Sequence, residues 1–330
     1  MSSDVSATQG FVRTDDGVEL FWRRLGQGEP AIVCCNGIGV GVFFWDYLVA
    51  RFADTHSIVL WDYRGHGRST PHFPGMEVGI PRLARDLGIV CAAAGVEKAV
   101  FAGHSMGSQV ILERTRQAPE QVLGLMSVLG TFGHPLDTFQ DLAISRQVFD
   151  LIIQVARSWP KALDYVGSLL VATPLAFDAG RILKLVDGSR LSRHDLRPYL
   201  HHLAGEISFS FFFAMAESMG EHSARDLLPR IEAPVLVIAG EFDGFTPPRL
   251  AKELHDALQD STWVMLDGAS HAGLIEQPGR MNEAIAAFLA RPDITAGSGP
   301  SAARAARAPA AGSRASGSSP EPGPPIAATA

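Results

Sequence analysis

Short, wholly apolar runs, each closed by glycine, asparagine or aspartate and followed by a helix-period segment, constrain this chain more than any other feature. Ala31–Cys35 ends at Asn36-Gly37, Ser57–Trp61 at Asp62, and Ala99–Ala102 at Gly103. A strand without a polar face must be covered on both sides. Helical patterns at Trp45–Phe52, Ile80–Ala94 and Met106–Gln117 supply the cover. Strands alternating with helices predict an α/β fold with a mostly parallel sheet. At the start, Phe11–Thr14 and Val18–Leu25 flank Asp15-Asp16-Gly17 and predict an antiparallel hairpin.

The alternation continues at Val122–Leu129 and then stops. Residues 135–228 read as helical, punctuated by Pro160, Pro174, Pro198 and Gly220. The series resumes with strand Pro234–Ala239, helix Pro248–Ala257, strand Thr262–Leu266 and helix Pro278–Ala290. The expected organisation is therefore a core of residues 11–134 and 229–291, interrupted by a helical cap. Residues 1–10 are expected to be flexible. Residues 292–330, rich in Ala, Gly, Ser and Pro, bury too little apolar surface to offset their ordering entropy and are expected to be a disordered tail.

The formal charge of -7, without a basic stripe, excludes nucleic acid as a natural partner. Cys34, Cys35 and Cys91 make neither a disulfide framework nor a zinc motif. The first residues are neither basic nor apolar, and no apolar run is long enough to span a membrane. The expected location is the cytoplasm.

Chemistry concentrates at Gly103-His104-Ser105-Met106-Gly107, between a buried strand and a helix. Such a strand-turn-helix bend presents a serine hydroxyl, and small residues two before and two after it prevent clashes. A serine needs a base to take its proton. His271, in the small-residue loop after Thr262–Leu266, faces the same sheet edge as Ser105 and is the favoured base. His104 is expected to point away and pack, and His66 to sit in an ordered loop beside the site. His201 and His202 lack a metal-binding partner motif. The acid that fixes the base's tautomer is expected to be Asp243, in the loop after Pro234–Ala239, with Glu241 as its rival. Backbone N–H groups of Met106 and Ile38, the latter in the loop Asn36-Gly37-Ile38-Gly39, are the expected oxyanion donors. No cofactor or metal is called for.

These residues resemble the α/β-hydrolase family across roughly residues 11–291. The resemblance rests on Asn36-Gly37 with Trp45, Asp62-Tyr-Arg-Gly-His-Gly-Arg-Ser69, Gly-His-Ser105-Met-Gly, Gly240-x-x-Asp243 with Thr246-Pro247, and Ser270-His271. It implies an eight-stranded, mostly parallel sheet with a helical lid inserted after the sixth strand. Many members of the family carry His-Gly in place of Asn36-Gly37, and a further Gly in place of Ser108. The Asn-Gly-Ile-Gly form is similar to that of some intracellular polyhydroxyalkanoate depolymerases. A serine at the bend separates the chain from dehalogenases and epoxide hydrolases, which place an aspartate there.

The expected activity is hydrolysis of carboxylic esters, including lactones or aliphatic polyesters, through an acyl-enzyme on Ser105. The insertion carries Phe149, Leu151, Ile152, Ile153, Leu169, Leu170, Phe177, Phe209, Phe211, Phe212, Phe213 and Met215. Part of this surface is expected to roof a pocket for a hydrophobic small-molecule ester, the remainder packing the cap onto the core. Competing readings are cofactor-free perhydrolase or haloperoxidase chemistry, C–C bond hydrolysis, and a non-catalytic binding protein on the same fold.

Overall fold

A computed structural model of the protein describes residues 7–135, 145–171, 173, 175–182, 185–192 and 194–297. The hairpin forms from β1 (Ala7–Arg13) and β2 (Glu19–Leu25), followed by β3 (Ala31–Cys35). Then come α1 (Asp46–Phe52), β4 (Ile58–Trp61), α2 (Ile80–Ala93), β5 (Ala99–His104), α3 (Met106–Gln117) and β6 (Val122–Val128). The insertion holds α4 (Ser145–Ser158), α5 (Pro160–Val171), α6 (Leu175–Ile182), α7 (Arg197–Gly205) and α8 (Phe209–Glu221). The core resumes with β7 (Val235–Gly240), α9 (Pro248–Ala257), β8 (Ser261–Leu266), α10 (Gly273–Glu276), α11 (Pro278–Leu289) and α12 (Pro292–Gly297).

The eight strands form one sheet in the order β1-β2-β4-β3-β5-β6-β7-β8. Only β2 runs against the others, pairing antiparallel with β1 and β4. The pairs from β4 to β8 are parallel, as the alternating pattern requires. Burial on both faces is visible residue by residue. In β3, Ala31, Val33 and Cys35 enter one apolar cluster, and Ile32 and Cys34 enter the other. β7 divides likewise, Val235, Val237 and Ala239 against Leu236 and Ile238. The first cluster is closed by α2, α3 and α9, the second by α1, α11 and α12. All three cysteines are buried and unpaired.

The insertion is stapled where the chain leaves and returns. Ala224 donates its N–H to the Phe132 carbonyl at 2.8 Å, and Gly133 bridges Ser223. Among the described residues no single helix is long and apolar enough to cross a membrane.

Two expected boundaries are corrected. β1 starts at Ala7, so the segment expected to be flexible is in part an edge strand paired with Trp22–Leu25. Its backbone ladder extends from the hairpin, without the side-chain alternation a sequence reading relies on. At the other end α12 continues the fold beyond residue 291: Ile294 is fully buried, and Arg291 pairs with Asp260 at 2.5 Å. One apolar anchor is lost in a composition average over the whole segment. The rest of the expected tail, residues 298–330, lies outside the described residues, as do residues 1–6.

Candidate active site

The loops after β3, β5, β7 and β8 leave the same edge of the sheet. After β5 the chain turns so sharply that Ser105 takes φ 54° and ψ -120°, a left-handed conformation for a residue with a Cβ. The Ser105 N–H donates to the Val128 carbonyl at 3.0 Å, which ties the bend to β6. A Cβ on Gly103 would lie 2.3 Å from the Gly107 carbonyl oxygen, and one on Gly107 2.2 Å from that of Cys35. Only glycine fits either position.

His271 Nε2 lies 2.9 Å from Ser105 Oγ, and His271 Nδ1 lies 2.8 Å from Asp243 Oδ2. A carboxylate only accepts, so Nδ1 carries the proton and Nε2 offers its lone pair to the serine hydroxyl. The Asp243 side chain is fully buried. Its Oδ1 accepts the N–H groups of Phe245 (2.9 Å) and Thr246 (2.8 Å), and its Oδ2 accepts the Thr246 hydroxyl at 2.8 Å. Glu241 is exposed and accepts the Gly268 N–H at 2.8 Å. It braces the His271 loop at a different point, and Asp243 alone of the two faces the imidazole.

The loop carrying Ile38 lies against Ser105: a Cβ on Gly37 would be 3.2 Å from Ser105 Cβ. Asn36 fixes this loop. Its Oδ1 accepts the Trp45 indole N–H at 2.9 Å, its Nδ2 donates to the Trp61 carbonyl at 3.2 Å, and its own carbonyl accepts the Tyr63 hydroxyl at 2.8 Å. The Ile38 N–H has no partner among the described residues. Met106 is the first residue of α3 and has no intrahelical acceptor for its N–H. The Met106 N–H is thus left next to the serine, at a helix N-terminus whose dipole favours negative charge.

The Asp62–Ser69 loop is held by charge. Arg64, fully buried, makes a two-pronged pair with Asp86 (2.7 and 2.9 Å) and reaches Asp16 in the hairpin turn at 2.8 Å. His66 in this loop faces His202 of α7, with ring centroids 6.5 Å apart. Each His ring donates through Nδ1, to the Arg64 carbonyl and to Glu206 respectively. Each keeps a buried Nε2 without a partner. Burial lowers the His66 pKa to about 4. His201, beside His202, is exposed. Among the described residues no group of three or more His, Cys, Asp or Glu is placed to hold a metal ion.

Three contributors were not singled out from the sequence. His104, expected only to pack, donates Nε2–H to the His271 carbonyl at 3.2 Å and lies tilted against the His271 ring. Burial, and then the neighbouring His271, lower its pKa to about 3, so it stays neutral. Thr246 was visible only as part of a motif. Glu276, on the single-turn helix α10, accepts the N–H (2.9 Å) and hydroxyl (2.5 Å) of Ser270 and the N–H of Asp187 at 2.7 Å. It joins the His271 loop to the insertion. Nothing in the local sequence marks that link, because Asp187 is 89 residues away.

Above Ser105 and His271 opens a cavity of about 440 Å³, bounded by the insertion and by Ile38, Val40, Phe44 and Phe245 of the core. Of the twelve large apolar residues considered for its roof, Leu170, Phe177 and Phe212 line it. Phe211 and Met215 are fully buried in the core cluster, and Leu151 and Leu169 face outward.

A hydroxyl on a strained bend, an imidazole and a buried carboxylate are joined by two hydrogen bonds in the order that acyl transfer uses. The sequence model of the alpha/beta hydrolase family matches residues 32–284.

The chain belongs to the alpha/beta hydrolase family.

This hydrolase is 28% identical over 279 residues to a protein of Azorhizobium caulinodans provisionally named carbamate hydrolase RutD, covering 83% of this chain and 96% of that one. It is 27% identical over 280 residues to 3-oxoadipate enol-lactonase 2 of Acinetobacter baylyi, covering 84% and 96%. Its fold matches an esterase from Exiguobacterium antarcticum with a TM-score of 0.71 at 17% identity, covering 86% of this chain and 99% of that one.

Proposed function

We propose that this hydrolase cleaves ester bonds, lactones included, through an acyl-enzyme on Ser105. The carrying observation is the unbroken chain from Ser105 Oγ to His271 Nε2 (2.9 Å) and from His271 Nδ1 to Asp243 Oδ2 (2.8 Å). His271 Nε2 takes the hydroxyl proton as Oγ bonds to the acyl carbon. The negative charge moves to the carbonyl oxygen, which accepts hydrogen bonds donated by the N–H groups of Met106 and Ile38. Each such donor contributes roughly 3 kcal/mol to the transition state. The imidazolium, stabilised by Asp243, returns its proton to the departing alkoxide. Water then repeats the sequence and releases the acid. The enol-lactonase relative supports the lactone part of this reading, and the apolar cavity supports a hydrophobic acyl or alcohol group.

Labelling with a fluorophosphonate followed by peptide mapping tests it. The expected result is one adduct, on Ser105, and loss of both labelling and ester turnover in Ser105→Ala. Ester hydrolysis that survives Ser105→Ala at the parent rate would refute the proposal.

A further inference from the structure

Leu196, the N-cap of α7, lines the cavity with Tyr199, Leu200 and Leu203 of that helix, an i, i+3, i+4, i+7 stripe. Three are leucines, and the fourth brings a phenol. The other polar side chains on the cavity wall are Ser105, His104 and His271. Those are already engaged, Ser105 with His271 and His104 with the His271 carbonyl. The Tyr199 hydroxyl bonds to no described residue. Burial pushes its pKa up to about 12, so at neutral pH it is an uncharged O–H donor. Among the described residues no Lys, Arg, Asp or Glu lines the cavity.

Leu203 lies against the loop after β3, where a Cβ on Gly39 would be 3.2 Å from Leu203 Cδ1. Tyr199 is four residues earlier on α7, about 6 Å from Leu203 along the helix axis. An acyl chain on Ser105 shares the cavity with this leucine stripe and its one phenol. Tyr199 is half-buried at the cavity wall, and an oxygen on a bound substrate gives its hydroxyl an acceptor away from bulk water.

Resting on the ester-hydrolase reading, we propose that Tyr199 is a specificity-determining residue. Its hydroxyl donates a hydrogen bond to an oxygen carried on an otherwise apolar, uncharged acyl chain, several bonds from the reacting carbonyl. The substrate class is a neutral ester or lactone whose acyl chain bears an oxo, hydroxy, alkoxy or amide oxygen. A carboxylate at the same place would lose its hydration with no cation among the described lining residues to replace it.

The test compares kcat/KM for p-nitrophenyl octanoate and its 3-oxo, 5-oxo and 7-oxo analogues in the parent and in Tyr199→Phe. Each oxo ester is read as a ratio to the plain ester in the same preparation, which cancels intrinsic reactivity between the enzymes and any loss of folded protein. At least one isomer is expected to be preferred by the parent, and Tyr199→Phe to lower that preference about tenfold, the size of one buried hydrogen bond. Ratios that Tyr199→Phe leaves unchanged for every isomer overturn the assignment while ester hydrolysis stands. A parent inert to all four esters and to a fluorophosphonate overturns the ester-hydrolase reading as well.

Discussion

Replacing Glu276 by glutamine asks how firmly the imidazole of His271 is held. The carboxylate is about nine-tenths buried and takes three donors: the N–H and O–H of Ser270 and the N–H of Asp187. An amide retains one acceptor oxygen and turns an NH2 toward the donors. At least one buried donor then loses its partner, and the remaining bonds lose their charge assistance. Together these cost about 2–4 kcal/mol, which in a chain of this size lowers Tm by about 4–8 °C. The functional effect is separable. Ser270 precedes the base, and a shift of about 1 Å at a reacting group costs on the order of 10²-fold in rate. The expected result is a kcat for p-nitrophenyl butyrate reduced about 10²-fold, with fluorophosphonate labelling slowed in parallel and KM changed far less. Differential scanning fluorimetry and steady-state kinetics read the two effects. A kcat and a Tm both within error of the parent would refute the argument that Glu276 positions the base.

Asp243→Asn places an amide NH2 against the protonated Nδ1 of His271 and is expected to lower kcat on the order of 10⁴-fold. Glu241→Gln, on the exposed carboxylate that meets only the loop at Gly268, is expected to stay within about threefold; equal losses in the two variants would sink the assignment of the acid. His66 and His104 are held neutral in the fold, with pKa values of about 4 and about 3, whereas in the unfolded chain each titrates near about 6.5. The unfolded state therefore takes up protons that the folded state refuses as pH falls below that value. The stability they contribute is full above it and is lost on acidification, by about 2 kcal/mol each at pH 5. Urea unfolding at pH 7.5 and pH 5 checks this, and a midpoint that does not fall contradicts it.

The sheet was legible because its central strands are buried on both faces. A run such as Val-Leu-Val-Ile-Ala, at positions 235–239, has no other comfortable place. The Ser105 bend was legible for a steric reason: close backbone contacts demand glycine at 103 and 107, and that demand is local. His271 and Asp243 followed from position, since loops at one sheet edge converge. What stayed hidden depends on encounters between distant segments. Glu276 meets Asp187 across 89 residues, and His104 meets a carbonyl 167 residues away. The cap was readable as helices but not as a wall, because an amphipathic pattern says which face is apolar and not whether core or cavity receives it. Phe211 and Phe212 are neighbours in sequence, yet one is buried in the core cluster and the other lines the cavity.

The three groups of the proton chain sit after β5, β7 and β8, and this order has a consequence for how the protein comes into being. A ribosome delivers the serine first, then the whole insertion, and the imidazole last of the three. Until β8 has zipped onto β7, the hydroxyl has nothing to hand its proton to. On the proposed mechanism, a polypeptide that has not yet formed β8 is inert towards the acyl compounds around it, and hydrolytic competence arrives with the last parallel pairing.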